Sequence, residues 1–318
     1  MMKMTDSVNR EINAGYKKAK KIATSLFVLS LAIFISGFMS PYITKYTVDG
    51  LKLCANTIIG SVFPFLILTD VIVTFADFDS IGWLRSLFER IFNINGYAIT
   101  AYVIGIICGF PLGVKVGVDL YKSGFISKDE CERLIGFSNN TGPAFVIAGV
   151  GFGLRGSIKE GVVLYFSMLL SSILSGFIIG LGKQHSKKVT NRERTAYDFT
   201  SSVRNAASNT MNICAFVVFF SVICGILSLV IKNSIAYSLT ASILEVSNAA
   251  KALSKSDFPR SVSLIISSFA ISFSGISVHL QARCFVSETD ISMKLYYITK
   301  FIQGLIASAI TSLFTIII

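Results

Sequence analysis

The chain has 318 residues, of which 53% are hydrophobic and 15% charged, and it carries a formal net charge of +11. The charges crowd into a few stretches between long apolar runs, which excludes an ordinary soluble domain. The positive excess gathers in residues 1–21 (Lys3, Arg10, Lys17, Lys18, Lys20 and Lys21 against Asp6 and Glu11) and 183–204 (Lys183, Lys187, Lys188, Arg192, Arg194 and Arg204 against Glu193 and Asp198). Both stretches flank membrane segments, so they read as a positive-inside signal facing the cytoplasm, not as a nucleic-acid surface.

Residues 1–21 form a basic cytoplasmic N-terminus, and 22–43 a first transmembrane helix. That helix has no small-residue cleavage site at its end and is expected to be retained. Ile22–Ile43, Leu53–Phe75, Gly161–Gly182 and Leu295–Ile318 each approach the roughly 20 apolar residues that cross a hydrocarbon core as helix. The six cysteines form no CxxC pair and no Cys/His ligand spacing, so they read as small packing residues without a metal or disulfide. Between Asp77 and Asn95 apolar residues recur at helical spacing opposite Arg85, Glu89 and Arg90, which predicts a helix lying in the interface with Trp83 at headgroup level.

The next apolar run, Tyr97–Leu112, is short and is broken by Gly109-Phe110-Pro111-Leu112-Gly113. A break at membrane depth releases backbone groups that lipid cannot satisfy, so a re-entrant hairpin or a discontinuous helix is expected. Ser127 to Glu130 has a capping-box pattern and opens a polar helix. It leads to Leu134–Gly153, where Ser138, Asn139, Asn140 and Thr141 run straight into Gly142-Pro143. Four consecutive polar side chains at that depth point to a cavity or a partner; helix–helix glue is the plainer reading.

The second half restates the first. Cys54-Ala55-Asn56-Thr57 is echoed by Ala207-Ser208-Asn209-Thr210, the Gly109 interruption by Glu245 to Lys251, and Thr141-Gly142 by Ser274-Gly275. Residues 1–21 and 183–204 share a side only if Tyr97–Lys122 is re-entrant, and the second copy then starts from the opposite side to the first. The expected fold is an all-α polytopic membrane protein of about seven or eight transmembrane helices plus re-entrant or interrupted segments. It consists of two inverted repeats, 50–182 and 203–318, joined by a basic cytoplasmic linker at 183–202.

Glu245 lies in an apolar stretch, and an ionised carboxylate there needs a partner. Lys115, Lys251 or a bound cation would serve, unless Glu245 simply marks a helix end at the interface. His279 and Gln281 form the other polar cluster at this depth, as proton relay, polar ligand or helix-packing pair. Together with Asn139, Asn140, Thr141, Gly142, Ser274 and Gly275 they make up the expected substrate site. Enzyme signatures are missing: Gly151, Gly153 and Gly156 satisfy GxGxxG but end a span instead of opening a helix after a strand, and HExxH, GxSxG and a phosphate loop are absent. The expectation is a non-enzyme without cofactor or bound metal. Its partners are the lipid bilayer and a small solute or ion, with no nucleic acid, and a homo-oligomer is compatible with the sequence.

At GFPLGVKVGVDLYKSGFIS, LIGFSNNTGPAFVIAGVG, LEVSNAA and ISFSGISVHLQ, the chain resembles the YlbJ-type sporulation integral membrane proteins. These carry the nucleoside-recognition or Gate domain, which is also found in spore maturation proteins, ferrous-iron permeases and, more distantly, concentrative nucleoside transporters. The chain departs from that pattern at Ser247-Asn248-Ala249 and at Ser274, where a glycine is expected. The resemblance implies a multi-pass protein of the bacterial inner membrane or forespore membrane that acts at spore cortex formation, and the interrupted repeats point to a transporter or permease for a small polar solute or ion. A structural or assembly protein that recruits sporulation partners is the alternative.

Overall fold

The longest apolar stretches become the longest helices. The structure, a computed structural model, describes residues 30, 37, 39–75, 82–183 and 198–317, and every element among these is helical. The basic residues 1–21, most of the expected first span and most of the basic linker lie outside the described residues. Residues 39–53 run through a π-helical turn, Cys54–Ile58, into α1 (Ile59–Phe75). Helix α2 (Gly82–Phe92) buries Phe88 and Phe92 and leaves Trp83 74% exposed, the two-faced pattern of an interfacial helix. The path then turns by 99° into Gly96–Cys108, of which α3 (Ile99–Cys108) is the helical part.

Gly109 ends α3 at φ 89, a backbone conformation open to glycine, and α4 (Leu112–Lys122) returns antiparallel. The capping box at Ser127 and Glu130 opens α5 (Lys128–Ser138). After residues 139–143 a π-helical segment, Ala144–Leu154, carries the chain on to α6 (Ile158–Gly180). The second half holds the 32-residue α7 (Phe199–Val230), the paired α8 (Ser234–Leu244) and α9 (Val246–Leu253), then α10 (Arg260–Phe273), α11 (Gly275–Val286) and α12 (Lys294–Ile317). Among the described residues, Ile158–Gly180, Phe199–Val230, Arg260–Val286 and Lys294–Ile316 are long and apolar enough to cross a membrane. The expected seven or eight spans compare with these four, or five if the bent pair at α2 and α3 counts as one.

Contacts between helix ends sort the bundle into two poles. At one pole Ser202 donates to Asp70 (2.7 Å), Asn93 to the Gly180 carbonyl (3.0 Å), the Asn95 amide to Glu130 (2.8 Å) and the Ser292 amide to Glu132 (2.9 Å). There Tyr121 and Lys128 both donate to Asp290, and these bonds hold that exposed carboxyl below the usual carboxylate range. At the other pole Tyr46 meets Ser228, Ser234 donates to Asp257, and Glu160 pairs with both Arg155 and Arg260. The α3–α4 hairpin therefore opens at the first pole and the α8–α9 hairpin at the second. At about 1.5 Å per residue, arms of this length reach roughly half of a hydrocarbon core about 30 Å thick.

Close packing of the first hairpin rests on two glycines. A Cβ at Gly105 would lie 1.8 Å from the Ser138 carbonyl oxygen, and one at Gly113 would lie 2.1 Å from the same atom. The end of α5 is thus clamped between α3 and α4, and no side chain fits there. Gly105→Ala should lower the thermal stability of the purified protein in detergent by about 1–3 kcal/mol or more through overpacking. Gly60→Ala, at a position with nothing within 4 Å, should melt like the parent.

Candidate functional site

The two helix breaks meet in the middle of the bundle. Asn139 to Pro143 interrupt the first crossing element, and Ser274, at φ 75, interrupts the second. Thr141 Oγ1 donates to the Ile271 carbonyl (3.2 Å), which the end of α10 leaves free, and Ser274 Oγ donates to the same oxygen (3.3 Å). One carbonyl therefore joins the breaks.

Each hairpin tip packs on the break that follows it in sequence. A Cβ at Gly109 would come within 2.9 Å of the Gly142 amide nitrogen, and a Cβ at Gly275 within 3.1 Å of the Leu244 carbonyl and the Glu245 nitrogen. Glu245 is both the last residue of α8's cap and the N-cap of α9. It is 3% exposed, and its carboxylate accepts from the amides of Ser247 (2.9 Å) and Asn248 (2.7 Å) and from Asn248 Nδ2 (2.8 Å). Helix-end amides thus supply what the sequence expected from Lys115, Lys251 or a cation. Lys115 pairs instead with Asp70 and Asp119, and Lys251 is exposed.

The groups that enclose the first break come from α12, which periodicity alone reads as a closing span. Tyr296, Thr299, Lys300 and Gln303 are all fully buried, at the spacing of one helix face. Lys300 Nζ donates to the Asn139 carbonyl (2.8 Å) and to Gln303 Oε1 (2.9 Å). Gln303 Nε2 donates to Asn140 Oδ1 (2.7 Å), whose own Nδ2 closes back on the Phe137 carbonyl (2.7 Å). Asn139 Nδ2 donates to Tyr296 Oη (2.8 Å), which also contacts His279 Nδ1 (3.1 Å). A polar chain therefore runs from His279 through Tyr296, Asn139 and Lys300 to Gln303 and Asn140.

Two atoms of that chain, Asn139 Oδ1 and His279 Nε2, have no hydrogen-bond partner. Buried polar groups without partners are uncommon in folded proteins. Both belong to residues bonded to Tyr296 Oη. Gln281 is not part of this cluster. Two residues along α11 from His279 it faces another side, bonds Ser277 (3.3 Å) and lies near Asn209 and Asn212 of α7.

The charge of Lys300 is the signal sequence reading passed over. It sits six residues into an apolar helix, at a depth where a lysine needs protein partners. Lys300→Met should leave the Asn139 carbonyl and Gln303 Oε1 without their donor. Thermal unfolding in detergent should then show a loss of about 1–3 kcal/mol, while exposed Lys251→Met should leave stability unchanged.

Long apolar helices and buried, half-depth breaks define an integral multi-pass α-helical membrane protein. Similarity narrows the class. The chain is 24% identical to the sporulation integral membrane protein YlbJ of Bacillus subtilis (strain 168), over 92% of this chain and 82% of that protein. That similarity bears out the YlbJ-type resemblance carried by the motifs. No family model matches the chain, and no solved structure does.

Proposed function

We propose that this membrane protein acts in sporulation as a secondary transporter or permease-like protein for a small polar solute or ion, with its site at the two helix breaks. One observation carries the reading: two interrupted helices share the Ile271 carbonyl at the centre of the bundle, and the tip of one half-depth hairpin rests on each break. A protein that only scaffolds partners has no use for broken backbone in its middle, where every freed carbonyl and amide has to find a new partner.

The order of elements supports two inverted repeats. In each half a long helix precedes a hairpin, an interrupted helix and a closing helix, and the two hairpins open at opposite poles. Counting residues 22–43 as a further crossing gives seven spans plus two re-entrant hairpins, with residues 1–21 and the basic linker on the cytoplasmic side. Inverted repeats with interrupted segments in matching places bind their solute at the repeat interface in many secondary transporters. On this reading Asn139, Asn140, Thr141, Ser274 and His279, with Tyr296, Lys300 and Gln303, surround the solute. Gly142, Gly275 and Glu245 hold the hairpin tips against it. The stage assigned, spore cortex formation, rests on the family resemblance.

Asn140→Ala and Glu245→Gln, expressed in cells whose own copy is deleted, should each abolish sporulation while the protein still accumulates in the membrane. Sporulation at parental levels with both variants would remove the central site from the reading.

A further inference from the structure

Away from the breaks, the root of the first hairpin holds three ionisable side chains in contact. Lys115 Nζ on α4 is bonded to Asp70 of α1 and to Asp119 Oδ2 one turn along α4 (2.8 Å). Asp70 Oδ2 in turn accepts from Ser202 at the start of α7 (2.7 Å). One ammonium therefore faces two carboxylates, and the triad carries a net charge of −1 when all three are ionised.

We propose that this triad is a proton-binding site and that Asp119 is the carboxylate that takes the proton, which makes the proton the coupling ion of the transport reading on which this inference rests. Side-chain exposure orders the three groups: Lys115 at 9%, Asp70 at 22% and Asp119 at 31%. Asp119 is the most open, and no described residue donates to its Oδ1. Asp70 is bonded at both oxygens. A proton from water adds to the Asp119 carboxylate, giving a carboxylic acid, and Lys115 stays an ammonium paired with Asp70. The triad then sums to zero.

That change of charge has a mechanical meaning at this position. A net charge on partly buried, mutually packed side chains is costly to strip of water, whereas a neutral triad can be sealed. Deprotonated, the root of hairpin α3–α4 has to stay hydrated from the first pole; protonated, it can close. Of the groups around it, α5 carries Glu132, bonded to the Ser292 amide, and α7 carries exposed Arg204 two residues beyond Ser202. Lys122 lies on α4's own last turn, Cys131 of α5 donates to the Gly117 carbonyl, Tyr121 is bonded to Asp290, and Tyr102 of α3 is bonded to Ser172. Cys108 ends α3, Tyr97 stacks under Arg85, and α11 brings Arg283 and Cys284, both exposed. No further carboxylate among the described residues is bonded to Lys115. The second hairpin has no such triad, since Lys251 on α9 is exposed.

The test is infrared difference spectroscopy of the full chain in lipid, between neutral and mildly acidic buffer, which reads the protonated carboxyl stretch directly and needs no solute. Acidification should raise a carboxylic-acid band that is lost in Asp119→Asn and keeps its frequency in Asp70→Glu, which preserves the charge of the triad. Asp119→Glu, which retains the carboxyl one methylene further out, should keep the band at a shifted frequency and guards against a folding defect in the asparagine variant. The assignment is overturned if no such band rises in the parent, if it survives in Asp119→Asn, or if its frequency shifts in Asp70→Glu and not in Asp119→Glu. Failure of the Asn140 and Glu245 variants to affect sporulation would overturn the transport reading and leave this band where it is, so the two claims fail separately.

Discussion

Backbone groups inside a bilayer have no water to fall back on, and the arrangement of this protein follows from that constraint. Each interruption frees carbonyls and amides, and side chains answer several of them. Tyr165 of α6 donates to the Ile106 carbonyl near the end of α3 (3.0 Å). Lys300 answers Asn139, and Thr141 and Ser274 together answer Ile271. Even the Thr141 amide is turned to a thioether, Met168 Sδ, at 3.4 Å. These partners lie on α6, on α12 and in the two breaks themselves, so satisfying the breaks also ties those helices together.

The same constraint separates the groups that bring backbone to backbone from those that bond side chain to side chain. Gly109, Gly142 and Gly275 let backbone approach backbone where any Cβ would crowd its neighbour. Glu245 supplies charge to the start of a short helix whose amides would otherwise be bare. Around that frame stand Asn139, His279, Tyr296, Lys300 and Gln303, which hold donors and acceptors against each other. The first group sets where the breaks lie, and the second sets what they offer.

Much of this was readable from the residues. Apolar length marked α1, α6 and α12, and Gly-Pro beside Asn-Asn-Thr marked the first break, because each pattern has one physical reason behind it. The capping box at Ser127 appeared where its spacing put it. Less was legible where meaning depends on a distant neighbour. Asp70 sits in an apolar run, and its role exists only once α4 brings Lys115 to it, 45 residues on. Tyr296, Lys300 and Gln303 share a face that periodicity cannot tell from an ordinary closing span. Gln281 looked like a companion of His279 in sequence, but a helix sends residues two apart to different sides. The π-helical form of Ala144–Leu154 has no compositional sign at all.

The bonds from α12 to the first break span 157 to 163 residues of chain. During synthesis Asn139 and Asn140 therefore enter the membrane long before Tyr296, Lys300 and Gln303 leave the ribosome. In that interval the unwound segment has to be tolerated by the insertion machinery or shielded by the first hairpin, whose glycines already grip the Ser138 carbonyl. A nascent chain stalled before residue 296 presents an open polar wound in the bilayer, which makes arrival of the last helix the step that separates a mature molecule from a substrate for membrane proteases.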